Sequence, residues 1–397
     1  MPGPGPHRPP RGRRTARLVT SFAVLVVVAA VSATLGWWVG DRGADPRRDS
    51  PALSSPSVAP SGTAESGAVE TVGSALTSVT ARTVVQRALS RLDPGADFQA
   101  RLPSDIDAAA VEITVTDARE AGAVSLDAGA GSVDAVRIAE PGTTTSNLVV
   151  LPVADRTLDV RHGPGGGLTV RVVGTFGSVG DTGAGRFVSH RPVRVAHLDT
   201  AQDGRELTVP ARAYGARPGI RAALVLVTAE VGEVPARLLV GRQPDGVAER
   251  MVWGGASDDR TQRRGLALVP VNADGEFSMR YEHGTALDVD VLGWFTGPGQ
   301  SLEQGALLVP ASAQTLYDGR VGRGGADLDV PGDATGALLN LAADPGVSGD
   351  LGPDDVAVAS GRTLAVVVDA ESGQVHLEAS RSLGAQVDLM GYFVDPP

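Results

Sequence analysis

Leu287–Phe295 reads L-D-V-D-V-L-G-W-F, and the same pattern stands at Leu168–Phe176 (L-T-V-R-V-V-G-T-F) and Ala385–Phe393 (A-Q-V-D-L-M-G-Y-F). Each copy alternates apolar and polar side chains, the period of a β-strand with one buried face. Each then meets a glycine (Gly174, Gly293, Gly391) and, two residues on, a phenylalanine (Phe176, Phe295, Phe393). A glycine at a strand end predicts a bulge or sharp bend, and the aromatic after it predicts a cap on a core. The polar positions drift from Asp-Asp to Gln-Asp to Thr-Arg, while the alternation, the glycine and the phenylalanine persist. The stretch therefore reads as the structural signature of a repeated β-domain.

Working outward, each signature is preceded by a second matching segment: Asn147–Val153 (N-L-V-V-L-P-V), Gly265–Val271 (G-L-A-L-V-P-V) and Thr363–Asp369 (T-L-A-V-V-V-D). Between the two lie short alternating runs around Val160, Phe277–Met279 and Val375–Leu377, joined by turn-forming residues such as Asn272-Ala273-Asp274-Gly275 and Glu371-Ser372-Gly373. The composition of these joints predicts hairpins, so each copy is expected to end in a three-stranded meander. Front halves also match: Phe98–Pro103 with Ala109–Val115, Arg205–Pro210 with Ala222–Thr228, and Ala326–Pro331 with Gly336–Ala342. The body divides into β units at 81–178, 179–298 and 299–397, the second with extra residues around Gln243–Arg264. Units of ~100 residues with many short strands are sandwich-sized, whereas propeller blades repeat at ~40–50. The predicted fold is all-β: three tandem β-sandwich-like units, each with one sheet face buried and the other wet.

The 51 glycines, 27 prolines and 4% aromatic content agree with short strands and many turns. The chain has no cysteine and no lysine. That removes disulfides, thiolate chemistry, a P-loop lysine and Schiff-base chemistry. Eight arginines fall within residues 1–48, leaving 27 arginines against 44 acids in the rest. An acidic body without a basic cluster argues against nucleic acid as a partner.

Residues 1–17 are rich in proline and arginine, and Leu18–Val39 follows as 22 residues without a charge. That length spans a bilayer as a helix, and arginines before it predict a cytoplasmic N-terminus. Trp37 and Trp38 fall where the outer interface would lie. The alternative is a cleaved signal peptide with its site at Val31-Ser32-Ala33, although the apolar run continues six residues beyond. Anchored to the plasma membrane or secreted, the body is expected outside the cytoplasm. Residues 41–80 read as a flexible Ser/Pro/Ala stalk. A weak apolar periodicity from Val69 to Leu92 suggests a helical turn or two.

The units resemble the β-repeat of actinobacterial surface and secreted proteins, whose copies open with P-x-R-x-L-D-T-R and end in V-D-V-x-G-Y-F. Pro192–Thr200 (P-V-R-V-A-H-L-D-T) matches the opening, with Ala201 in place of the final arginine; the last copy keeps Leu316, Asp318 and Arg320. The resemblance implies a β-sandwich-like surface module without established catalytic residues. The Asp and Arg of the opening read as a tie between a loop and the sandwich.

Candidate chemistry is sparse. Asp288, Asp290 and Asp388 lie on the polar side of the terminal strand, where a carboxylate pair suits calcium or acid–base work; the competing reading is a solvated strand face. The six histidines, with His162 and His283 in equivalent turns, read as surface residues rather than metal ligands. Trp253, near Gly254-Gly255 and the Asp258-Asp259 pair, is a candidate for stacking on a sugar or a partner; otherwise it packs a loop onto the sandwich. No nucleophile elbow, metal set or cofactor motif is recognisable, so neither catalysis nor a cofactor is expected. The expected function is that of a non-catalytic structural or interaction protein of the cell envelope, partnered by a wall polymer or another envelope protein. The alternative is glycan binding through loops of the second unit.

Overall fold

The computed structural model describes residues 73–396, apart from 80, 179–183, 200–203, 218, 232–233, 241–248, 255–261, 300–304, 346–350 and 353–361. The segment Leu18–Val39 and the pair Asp258-Asp259 lie outside the described residues. Among the described residues no helix is long and apolar enough to cross a membrane.

Lobe 1 contains β1 (Ser74–Ser78), β2 (Arg82–Leu92), β3 (Ala96–Arg101), β4 (Ala108–Thr116), β5 (Gly122–Asp127), β6 (Ser132–Ile138), β7 (Thr145–Pro152), β8 (Thr157–His162) and β9 (Gly166–Ser178). Lobe 2 contains β10 (Phe187–Asp199), β11 (Glu206–Pro210), β12 (Ile220–Val231), β13 (Ala236–Val240), β14 (Glu249–Trp253), β15 (Gln262–Pro270), β16 (Glu276–Glu282) and β17 (Gly284–Thr296). Lobe 3 contains β18 (Leu307–Val321), β19 (Ala326–Asp329), β20 (Ala334–Ala343), β21 (Leu351–Gly352), β22 (Thr363–Asp369), β23 (Gln374–Ala379) and β24 (Leu383–Val394).

Lobe 2 pairs an inner sheet, β10-β17-β12-β15, with an outer sheet, β11-β16-β13-β14. Counting its strands one to eight, the sheets run 1-8-3-6 and 2-7-4-5, which is the jelly-roll arrangement of interleaved Greek keys. Lobe 1 repeats it as β2-β9-β4-β7 over β3-β8-β5-β6. Lobe 3 repeats it as β18-β24-β20-β22 over β19-β23-β21 among the described residues.

This order corrects the expected meander. The last three strands of each lobe alternate between sheets: β15 is inner, β16 outer and β17 inner. Asn272–Glu276 does form a tight turn, with Glu276 N–H donating to Asn272 Oδ1 at 2.9 Å and Gly275 at φ +76°. It crosses from one sheet to the other. A strand with one buried face fits a meander and a two-sheet crossover equally well, so period alone does not separate them.

A second correction concerns the wet face. Outer strands do alternate; β8 and β23 bury every second residue. Several inner strands do not: all but the last residue of β4 and of β7 are buried, whereas β17 keeps its alternation. Strands such as β4, β7, β12 and β20 pack on their own outer sheet with one face and on neighbouring lobes with the other. The near-continuous apolar runs A-A-A-V-E-I-T-V and G-A-L-L-N-L-A-A reflect this two-sided burial.

A third correction falls at the lobe 1 boundary. Residues 74–78, expected as stalk, form β1, with Ser74, Ala75 and Leu76 buried. Of the region Val69–Leu92, expected to hold a helical turn, the described residues form β1 followed by β2. β1 pairs with β9 and with β18, joining the inner sheets of lobes 1 and 3 into one nine-stranded sheet.

Candidate functional site

The three signatures converge on one place. Leu76, Phe187 and Leu308 hold equivalent positions, opposite Phe176, Phe295 and Phe393 in strand register. Phe187 stacks on Phe393 at 4.5 Å and lies 5.1 Å from Phe295, which meets Phe176 edge-on at 5.9 Å. Main-chain pairs close a ring around them. Leu76 N–H donates to Gly185 O at 2.8 Å, Phe187 N–H to Ala306 O at 2.8 Å, and Leu308 pairs with Ser74. The three lobes thus surround a pseudo-threefold axis filled by their own signature residues. An apolar gap of about 20 Å³ remains, lined by residues of all three lobes, among them Ala110, Leu224 and Leu338.

The signature glycines are required for space. None has a positive φ. A Cβ at Gly293 would stand 2.4 Å from Val188 O and 2.6 Å from the Phe187 ring. At Gly174 it would stand 2.5 Å from Leu268 Cδ2, and at Gly391 3.0 Å from Leu308 Cδ1. The predicted bulge is present in all three lobes, with Val173, Leu292 and Met390 as the extra residue opposite β4, β12 and β20. The sequence therefore located these six residues and their structural character; it did not show that they meet.

The polar signature positions are paired. Arg194 donates from Nε to Asp290 Oδ1 at 2.6 Å and from Nη2 to Oδ2 at 3.1 Å, and its Nη1 lies 3.0 Å from Asp288 Oδ2. His197 Nδ1 is 2.5 Å from Asp288 Oδ1. The hydrogen bond to Asp290 holds the Arg194 guanidinium above its ordinary pKa. The opening segment's arginine is thus tied to the terminal strand itself, cross-strand, where a loop tie was expected. In lobe 3 the equivalent Thr315 donates to Asp388 Oδ1 at 2.8 Å. In lobe 1 the strand carries Arg171, paired with buried Glu112 at 3.3 Å. These carboxylates hold arginine, histidine and threonine, and among the described residues no acid or histidine group is placed to hold a metal ion.

Trp253 is fully buried in the lobe 2 core. It sits on β14 opposite Ala236, with its ring filling the space a Cβ at Gly265 would need, 2.9 Å from Cζ2. Its faces are closed to a ligand, so the stacking reading is corrected in favour of packing. His162 was expected at the surface and is instead wholly buried at the end of β8. Burial pushes its pKa down, and the nearby Gly165 and Gly166 backbone offsets this in part; neither ring nitrogen makes a hydrogen bond of good geometry. His283 is exposed, as expected.

The outer sheet of lobe 1 carries a polar concavity of about 600 Å³ that the sequence did not signal, lined by Asp97, Gln99, Asp127, Asp159 and Arg161. Its groups are largely satisfied. Gln99 donates to Asp159 at 2.8 Å, Arg161 lies 3.5 Å from Asp97, and Asp127 accepts from Gly129 N–H at 2.7 Å. Equivalent rows stand at Asp327–His376 and Asp329–Gln374 in lobe 3. These are cross-strand pairs on a wet sheet face.

No protein-family model matches the chain, and no curated protein matches it. Among solved structures it is similar to one described as the triple jelly roll fold and turret assembly in an archaeal virus. That match has 9% identity, covers 81% of this chain and 90% of the other, and has a TM-score of 0.19. A score this low carries no argument; the jelly-roll assignment rests on the strand order.

Proposed function

We propose that the chain is an envelope protein, held in the membrane by Leu18–Val39, whose three-lobed head outside the cytoplasm is a non-catalytic structural or interaction body. The axial ring carries this reading. Three lobes are joined by main-chain bonds and a shared aromatic core into one body, with β1 at its axis. Such a body suits holding a protein surface or a wall polymer at a set distance from a membrane. The second reading, glycan binding through loops of lobe 2, loses its stacking residue with Trp253 buried.

The test is protease accessibility on intact cells, followed by cross-linking of the full chain in its membrane. A head cleaved from outside and a stoichiometric envelope partner support the proposal. A head protected in intact cells sinks it.

A further inference from the structure

β1 differs from its counterparts in one respect. In lobes 2 and 3 the matching half-strand runs on into the rest of the first strand, within the 13 residues of β10 and the 15 of β18. In lobe 1 it stands alone, separated from β2 by residues 79–81. All three pairings break register at this level, after Leu76, Ser189 and Pro310, but in lobe 1 the strand itself also stops there. β1 can therefore leave its slot without drawing β2 with it.

The slot is made of groups that any copy of this segment would find again. Arg221 Nη1 donates to Leu76 O at 2.5 Å and to Thr77 O at 2.8 Å. Ser74 Oγ donates to Asp107 Oδ2 at 2.6 Å, and Thr77 Oγ1 to Thr175 O at 2.9 Å. Leu76 is the one large apolar side chain β1 buries. The slot also rejects bulk. A Cβ at Gly73 would lie 2.4 Å from Leu307 Cβ, and the Gly185 backbone approaches Leu76 so closely that a Cβ there would stand 2.3 Å from Leu76 O. An extended G-S-A-L-T segment fits, and few others do.

We propose that β1 is an exchangeable strand: the slot between β9 and β18 accepts Ser74–Ser78 from a second copy of the chain, linking two heads through reciprocal strand exchange. Exchange conserves the bonds of the slot, so its equilibrium is set by concentration and by the short connection at 79–81. The inference does not depend on the membrane reading, since it concerns the head alone.

A chain without cysteine makes the test direct. Full-length chains carrying Ser74→Cys are mixed with full-length chains carrying Ser178→Cys, incubated below the melting temperature and oxidised. Exchange sets residue 74 of one copy against residue 178 of the other, the register seen within one chain. A disulfide-linked heterodimer several-fold above that formed with a surface Arg323→Cys control supports the proposal. Adding Leu76→Asp to the Ser74→Cys chain then abolishes the heterodimer. The Ser74→Cys/Ser178→Cys double variant reports whether the geometry allows the bond. Ala75→Cys with Gly177→Cys repeats the measurement at the adjacent pair, because neighbouring antiparallel pairs alternate in Cβ separation. An intramolecular bridge without a heterodimer above control, at either pair, overturns the proposal.

Discussion

The second polar position of the signature strand is Arg171 in lobe 1 and Asp290 in lobe 2, and the two solve the same problem in opposite ways. In lobe 2 the position faces outward enough for Arg194, its side chain 53% exposed, to reach across from the edge strand. In lobe 1 the face is covered by the neighbouring lobes. Ser146, on the strand beside Glu112, accepts from Val252 N–H of lobe 2 at 2.9 Å, and Asn147 accepts from Ala365 N–H of lobe 3 at 3.0 Å. The Arg171–Glu112 pair is sealed there, with side chains 11% and 4% exposed. The backbone position is one and the same; the covering sets the chemistry. An exposed pair contributes little, whereas one half of a buried pair cannot be removed without stranding the other.

The largest expected effect tests the sealed side. Glu112→Ala removes the ion-pair partner of buried Arg171 in the seam and should cost about 3–5 kcal/mol in denaturant unfolding. A cost below ~1 kcal/mol would show that the seam admits water and would erase the contrast. Next come the signature glycines. Gly293→Ala forces a Cβ against a carbonyl oxygen and should cost ~1–3 kcal/mol by the same measurement. Gly391→Ala, with its nearest neighbours at 3.0 Å, should cost distinctly less. Equal costs would mean that the axis relaxes as a unit.

His162 supplies a pH test of lobe 1. Its folded-state pKa is depressed by burial below the ordinary value of 6.5, so the unfolded chain binds the proton first. Stability is full above pH ~6.5 and falls as pH drops through that value toward the lower folded pKa. Melting temperature followed from pH 8 to about 5 should decline in the wild type and flatten in His162→Phe; identical slopes would assign the decline to other groups. The open side of the comparison gives a smaller number: Asp290→Ala should cost under ~1 kcal/mol, and high salt should erase most of it. Smallest is Ala110→Val, which reaches toward the ~20 Å³ axial gap and should gain about 0.5 kcal/mol at ~24 cal/mol per Å³.

Much of this architecture was legible because it repeats. The segments aligned in the sequence are strands β3, β4, β7 to β9 and their counterparts. Three things were not legible. β5, β6, β13 and β14 lie in the outer sheets, where the copies differ most. β1 has a single large apolar residue, and its strand character comes from its two neighbours rather than from its own period. The meeting of the three phenylalanines is a long-range event, to which a local pattern is blind. Trp253 shows the same limit: an isolated indole beside glycines reads as accessible, yet Gly265 is small because the ring needs its space.

The ring at the axis also fixes arithmetic. A beads-on-a-string array gains or loses modules at its ends, since each touches only its neighbours. Here lobe 1 bonds to lobe 2, lobe 2 to lobe 3, and lobe 3 back to lobe 1. A fourth module would find no vacancy, and a chain of two would leave both half-strands unpaired. Duplication can lengthen a string indefinitely; a closed circuit of this kind admits one copy number, and divergence among its members must proceed with that number held constant.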